Sequence, residues 1–358
     1  MAPPPVNPET PRPRVAYYAH HHGSGHLRHA MNIARLQAVN LLVTGSTEPE
    51  GLSGIPQTKF AHLTADTWPD GAPYPVPGDQ FLHYTPTNPA IRQRFAELQA
   101  AWQDFDPQVV VIDVSAEAAV FARLSGYPVL YRRMPGDRWD PAHEAAYASA
   151  TGLFAYYPRE LEDPAYLERL GHRTTYLGML APTGEPGAAK DHHGGKVITV
   201  QTSLGGNGVS ATELAEAARS CPDWQWNVVG LSTGSANLPA NVRLLGVLAD
   251  PRPELARADI IITSAGYHAV AAAASAGRPT ILVPEERPFA EQAAFARALR
   301  DTAGIPMAES WSGAAWPELL QQAAATDPEA LKRELFVSSD SFRDSFLDLV
   351  SRAAAAGS

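Results

Sequence analysis

Short, wholly apolar runs alternate with amphipathic stretches along most of this chain. The pattern predicts strands at 15–19, 40–44, 108–113, 128–131 and 153–157. Between them, apolar positions recur at helical spacing over 27–39, 90–104, 116–124 and 143–151. Residues 108–113 (QVVVID) are apolar until a terminal acid, as in a central strand of a parallel sheet. The periodicity stops at 181–195 (APTGEPGAAKDHHGG), which reads as a linker. It then restarts, with strands at 197–201, 225–229, 242–245, 259–263 and 280–284, helices at 211–219, 254–257, 268–276 and 289–300, and one or two more helices over 328–355. Each half opens with a strand, a Gly-containing turn and a helix, the start of a right-handed βαβ unit. The expected fold class is α/β, with two Rossmann-like domains.

The length of 358 residues agrees, at about 150 residues per domain. The expected division is an arm at 1–13, a first domain at 14–180, a linker at 181–195, a second domain at 196–328, and a last helix at 329–358. Residues 65–89 are rich in Pro and Gly and read as a long functional loop.

Composition narrows the chemistry. A formal charge of −10 argues against general nucleic-acid binding, and a single Cys excludes a disulfide framework or a multi-thiolate metal site. No apolar run is long enough to span a membrane, and the Pro-rich start has no apolar core of a signal peptide, so a cytoplasmic location is expected.

In an open parallel sheet, ligands sit at the carboxyl ends of strands, where helix N-termini attract anions. Three turns qualify: HGSGH at 22–26, TSLGGNG at 202–208 and SAGY at 264–267. The first has Arg28 where a dinucleotide fingerprint needs a third Gly, and the second lacks the Lys-Ser/Thr of a P-loop. The bland alternative for each is strand-to-helix punctuation. His20, His21, His22 and His26 crowd the first turn, but histidines without a nearby acid seldom bind metal, so no metal site is expected. One of them, His26 or else His22, suits the role of a base that deprotonates a hydroxyl. Asp113 ends another strand at the same sheet edge and is placed to orient that base. The competing reading makes Asp113 the N-cap of the helix at 116–124.

Residues 259–299 (ADIIITSAGYHAVAAAASAGRPTILVPEERPFAEQAAFARAL) resemble the donor-binding half of GT-B glycosyltransferases, particularly the family of the peptidoglycan N-acetylglucosaminyltransferase. The match lies in the 260–263 strand, the 264–266 turn and its helix, the AGRP corner at 276–279, the 281–284 strand and the pair Glu291-Gln292. The 202–208 turn is similar to that family's Gly-rich loop opening the second domain, and HHGSGH to its N-terminal Gly-His loop. The resemblance covers about two-thirds of the chain and is strongest at 259–299.

With the restart after 195, it implies two domains facing across a cleft and a last helix at 329–358 crossing back to the first domain, with a nucleotide-sugar donor in the second domain and no cofactor beyond that co-substrate. Amides of Ser264, Ala265, Gly266 and Tyr267 would hold the diphosphate. Ser203, Gly205 and Gly206 would lie beside it, and Val247 and Leu248 in the 246–250 loop would face the base. Glu291 and Gln292 would bind sugar hydroxyls, although Glu291 also reads as an ordinary solvated helix residue. The acceptor would lie against the first domain, near Gly25 and the polar loop holding Asp137, Arg138, Trp139 and His143. One departure stands out: the family's ribose-binding Glu corresponds to Ala272, so His268 or an altered recognition must serve instead.

The expected function is therefore inverting, metal-independent transfer of a sugar from a nucleotide-sugar, UDP-linked, to a hydroxyl of a small-molecule or glycan acceptor. Membrane association is expected only for a lipid-linked acceptor. A nucleotide-sugar hydrolase, an epimerase on the same fold and a non-catalytic binding protein are the alternatives.

Overall fold

The structure is a computed structural model describing residues 12–20, 25–65, 89–183, 196–202, 208–231 and 237–357. The first half contributes strands β1 (Arg14–Ala19), β2 (Asn40–Gly45), β3 (Thr58–His62), β4 (Val109–Asp113), β5 (Val129–Arg132), β6 (Gly152–Ala155) and β7 (Thr174–Tyr176). Its helices are α1 (Gly25–Leu36), α2 (Pro89–Phe105), α3 (Ala116–Leu124), α4 (Pro141–Ser149) and α5 (Pro164–Leu170). The second half holds β8 (Lys196–Gln201), β9 (Trp224–Val229), β10 (Val242–Gly246), β11 (Ile260–Thr263) and β12 (Thr280–Leu282). Helices α6 (Ala211–Ser220), α7 (Arg252–Ala256), α8 (Tyr267–Ala276), α9 (Glu291–Ala303), α10 (Trp316–Ala324), α11 (Ala330–Leu335) and α12 (Ser339–Ala356) accompany them.

Two separate sheets result. The first runs β3-β2-β1-β4-β5-β6-β7 and the second β10-β9-β8-β11-β12. Every strand pair between them is parallel. Strand order therefore reverses between β1 and β4 in one sheet and between β8 and β11 in the other. These reversals are where an open α/β sheet leaves a crevice for ligand.

The apolar runs explain why strands form here. Val109, Val110, Val111 and Ile112 of β4 are fully buried, two facing each side of the sheet. Helix α12 packs Phe342, Phe346, Leu349 and Val350 beneath the first sheet, against Tyr17, Val111, Leu130 and Phe154. A further apolar cluster joins the two halves: Tyr157, Leu161 and Met179 meet Val270, Phe295, Leu299 and Leu335. The two chain crossings run side by side, with the Met179 amide donating to the Leu335 carbonyl (2.9 Å) and the Val337 amide to the Met179 carbonyl (3.0 Å).

Some elements differ from the sequence expectation. The short strands β3 and β7 and the helices α5 and α10 lie outside the elements the sequence pattern predicts. The helix expected from 289 begins at Glu291, because Phe289 (φ 62°) and Ala290 (φ 52°) adopt left-handed backbone that breaks it. The terminal helical stretch is two helices, α11 and α12. Among the described residues no helix is long and apolar enough to cross a membrane.

Candidate active site

Register brings the first candidate residues together. Ala19, the last residue of β1, lies opposite Asp113, the last of β4. Helix α1 follows β1 in the chain, and its second residue is His26. His26 Nδ1 lies 3.1 Å from Asp113 Oδ2, with side-chain exposures of 15% and 0%. The contact is at ion-pair distance, and among the described residues Nδ1 has no hydrogen-bond partner. Asp113 is not the cap of α3; Ser115 takes that role, its side chain accepting from the Ala118 amide.

Asp113 has two further partners that the sequence reading missed. Arg132, at the end of β5, donates from Nη1 to Oδ1 (2.7 Å), and Tyr17 Oη donates to Oδ2 (2.9 Å). Burial alone would raise the Asp113 carboxyl, but Arg132 and then His26 outweigh it and hold it well below the usual carboxylate range. Arg132 lies over the rings of Tyr156 and Tyr267, at 4.9 and 5.9 Å. The signal was present in sequence as two arginines, Arg132 and Arg133, closing an apolar strand. Arg133 is likewise buried on a carboxylate, Glu162 (3.0 Å).

The second reversal is built in the same way. Gln201 at the end of β8 lies opposite Thr263 at the end of β11. Gly266 caps α8 without a side-chain hydrogen bond, leaving the first amides of that helix open to an anion. Ser264 is buried and its Oγ has no partner among the described residues. A small cavity beside it is lined by Thr202, Gly208 and Glu285.

The two crevices meet. His268, in the first turn of α8, contacts the Gly25 carbonyl through Nε2 at 3.1 Å. A carbonyl only accepts, so Nε2 carries the proton. His268 is thus committed to the first domain rather than to a ribose. Burial lowers its pKa to about 4. His29 stacks on Tyr156 (4.3 Å) and lies edge-on to Tyr267 (4.6 Å), and burial pushes it well below its ordinary value too.

These depressed imidazoles set a pH dependence. Unfolded, each takes up a proton near 6.5; folded, His268 does so only near 4. Between those values the unfolded chain binds more protons, so stability is complete above about pH 6.5 and is lost as pH falls toward 4. The melting temperature is expected to drop over that window and His268→Gln to flatten the slope; an unchanged slope would contradict the assignment.

The remaining expected residues divide. Val247 is exposed at the mouth of the 246–250 loop. Ala272 is buried among Leu255, Ala258 and Ile261 and offers a ribose nothing. Gln292 is buried, and its Oε1 accepts from the Glu285 amide (2.9 Å). Asp137, Arg138 and His143 are not set out along an open acceptor surface: they touch the 287–291 loop of the second domain. Arg138 Nη2 pairs with Glu291 Oε2 at 2.9 Å, so Glu291 is not simply a solvated helix residue. Trp139 packs near Tyr147 and Tyr166 with Arg169 over its ring, as part of the first domain's core. His22, Ser203, Gly205 and Gly206 lie outside the described residues. Among the described residues no group of three His, Cys, Asp or Glu side chains is placed to hold a metal ion.

No protein-family model matches this sequence, and no curated protein does. Solved structures do match over nearly the whole chain. The spinosyn forosaminyltransferase SpnP aligns with a TM-score of 0.68 at 13% identity, covering 95% of this chain and 100% of its own. The glycotransferase of kitacinnamycin aligns with a TM-score of 0.64 at 18% identity, covering 97% and 98%. MurG of Acinetobacter baumannii aligns with a TM-score of 0.58 at 15% identity, covering 95% and 99%. At such identities the likeness is one of fold. The protein has the two-domain GT-B fold of glycosyltransferases, as the resemblance at 259–299 implies.

Proposed function

We propose that this protein is an inverting glycosyltransferase moving a sugar from a nucleotide-sugar donor, of the UDP-linked class, to an acceptor hydroxyl. The observation that carries the reading is the His26–Asp113 pair at one sheet reversal, joined through Gly25 and His268 to the open N-terminus of α8 at the other. His26 takes the hydroxyl proton through Nε2. The freed oxygen attacks the anomeric carbon, and the nucleoside diphosphate leaves with the bonding electrons. Its charge develops beside the α8 amides and the Ser264 hydroxyl, donors already in place before reaction.

Amides and a hydroxyl supply the role a divalent cation would otherwise play, so the chemistry is metal-independent and needs no cofactor. Asp113, already bonded to Arg132 and Tyr17, is a fixed negative charge that steadies the imidazolium once formed. The acceptor is a small molecule or glycan in the cytoplasm, with membrane contact only if it is lipid-linked. Val247 and Leu248 would flank the base.

The test is direct. Thermal-shift titration against UDP-, dTDP- and GDP-sugars is expected to find one donor class that stabilises the protein. With that donor, sugar transfer should require acceptor and persist in EDTA. Free sugar released at full rate without acceptor would make the protein a hydrolase instead. Activity abolished by EDTA and restored by magnesium would overturn metal independence.

A further inference from the structure

The contact between the 136–143 segment and the 287–291 loop is built from more parts than packing requires. Asp140, the N-cap of α4, holds His143 Nδ1 at 2.5 Å. Nδ1 therefore donates, which leaves His143 Nε2 to accept from Arg138 Nη1 at 3.1 Å. Arg138 Nε donates to the Pro135 carbonyl (3.2 Å), and its guanidinium lies over the Phe289 ring (4.6 Å). His143 meets the same ring edge-on at 4.7 Å. What remains of the guanidinium, Nη2, reaches Glu291 Oε2 across the domain boundary. The order is carboxylate, imidazole, guanidinium, carboxylate, running from the first domain into the second.

The backbone is shaped for the same contact. The Asp137 amide donates to the Phe289 carbonyl at 2.8 Å. Gly136 sits at φ +99°, and a Cβ there would overlap that carbonyl oxygen. On the other side, Phe289 and Ala290 are both left-handed, a conformation that side-chain-bearing residues hold only when their surroundings impose it.

We propose that Arg138 is a positioning residue for donor-sugar recognition. It fixes the Glu291 carboxylate from the opposite domain, so the sugar subsite is complete only when the two halves are clasped. The proposal rests on the glycosyltransferase reading. Arg138 takes one oxygen of Glu291 and leaves the other for a sugar hydroxyl. The diphosphate contacts, at α8, do not pass through this chain of residues. Loss of Arg138 should therefore weaken recognition of the sugar and spare that of the bare nucleotide.

The experiment compares wild type, R138M, E291Q and the double variant in two arms. The first arm uses no ligand. Hydrogen exchange at the Asp137 amide should quicken in R138M and in E291Q, with the melting temperature recorded as a control. Unchanged exchange in both overturns the clasp. The second arm measures calorimetric affinity for UDP-glucose, UDP-N-acetylglucosamine, dTDP-glucose and GDP-mannose, each beside its bare nucleoside diphosphate. Losing one charge-assisted hydrogen bond predicts about a 10- to 100-fold weaker nucleotide-sugar in R138M, with the diphosphate within about twofold. The double variant should be no worse than E291Q alone. Equal losses for sugar-nucleotide and bare diphosphate, or none for either, overturn the positioning role. A wild-type protein that binds no member of the panel overturns the functional reading itself, whatever the exchange arm shows, and the sugar role of Arg138 with it.

Discussion

Replacing His26 with alanine lowers turnover by about 10²–10⁴-fold, with donor affinity nearly unchanged and the fold intact. The magnitude is that of general-base help. The pattern follows from position. His26 lies at the first sheet reversal, beside Asp113, and contributes nothing to the α8 amides assigned to the diphosphate. Its side chain is 15% exposed, against 0% for Asp113, so its removal opens toward solvent rather than into the core. Steady-state kinetics with donor and acceptor, together with a melting curve, check both halves. A large fall in melting temperature, with activity tracking only the folded fraction, would make His26 a structural turn residue. Full activity in His26→Ala and none in His22→Ala would move the role to His22.

The second large effect concerns stability. Asp113→Ala is expected to cost about 3–5 kcal/mol, the range for breaking a buried ion pair by removing one partner. Arg132 is 5% exposed, and its Nη1 hydrogen bond to Asp113 compensates its charge. Without Asp113 that charge stays buried, and Tyr17 loses the carboxylate it donates to. Asp113→Asn should also destabilise: an amide keeps one acceptor oxygen, turns a donor toward the partner of the other, and supplies no counter-charge to Arg132. Denaturant unfolding of the first domain measures the effect. The double change Asp113→Ala with Arg132→Met should recover most of the loss, since it removes both charges together. A single variant within about 1 kcal/mol of the parent would show that Arg132 finds water or another acceptor.

The strand runs, the Gly turns and the restart after 195 carry the two-sheet fold in the sequence, because burial on both faces leaves a continuous apolar signature. The His26–Asp113 pairing is legible for the same reason: both residues end strands, and parallel register brings strand ends to one edge. The charge at the end of β5 is visible too, in Arg132 and Arg133, although nothing in the sequence says which carboxylate each meets.

Other features depend on how distant segments fold together. The loop 136–143 is polar and looks like acceptor surface, yet it docks on 287–291, because a glycine at φ +99° and a chain of four polar side chains match it to that turn. The late start of the helix expected at 289–300 coincides with the same contact, where Phe289 and Ala290 are left-handed against their local preference. His268 reads as a substitute ribose ligand in sequence, but domain contact turns it to the Gly25 carbonyl and buries it. Periodicity and strand-end chemistry are local and can be read along the chain. The partner of a charge, and the domain it comes from, depend on distances that only the packed structure defines.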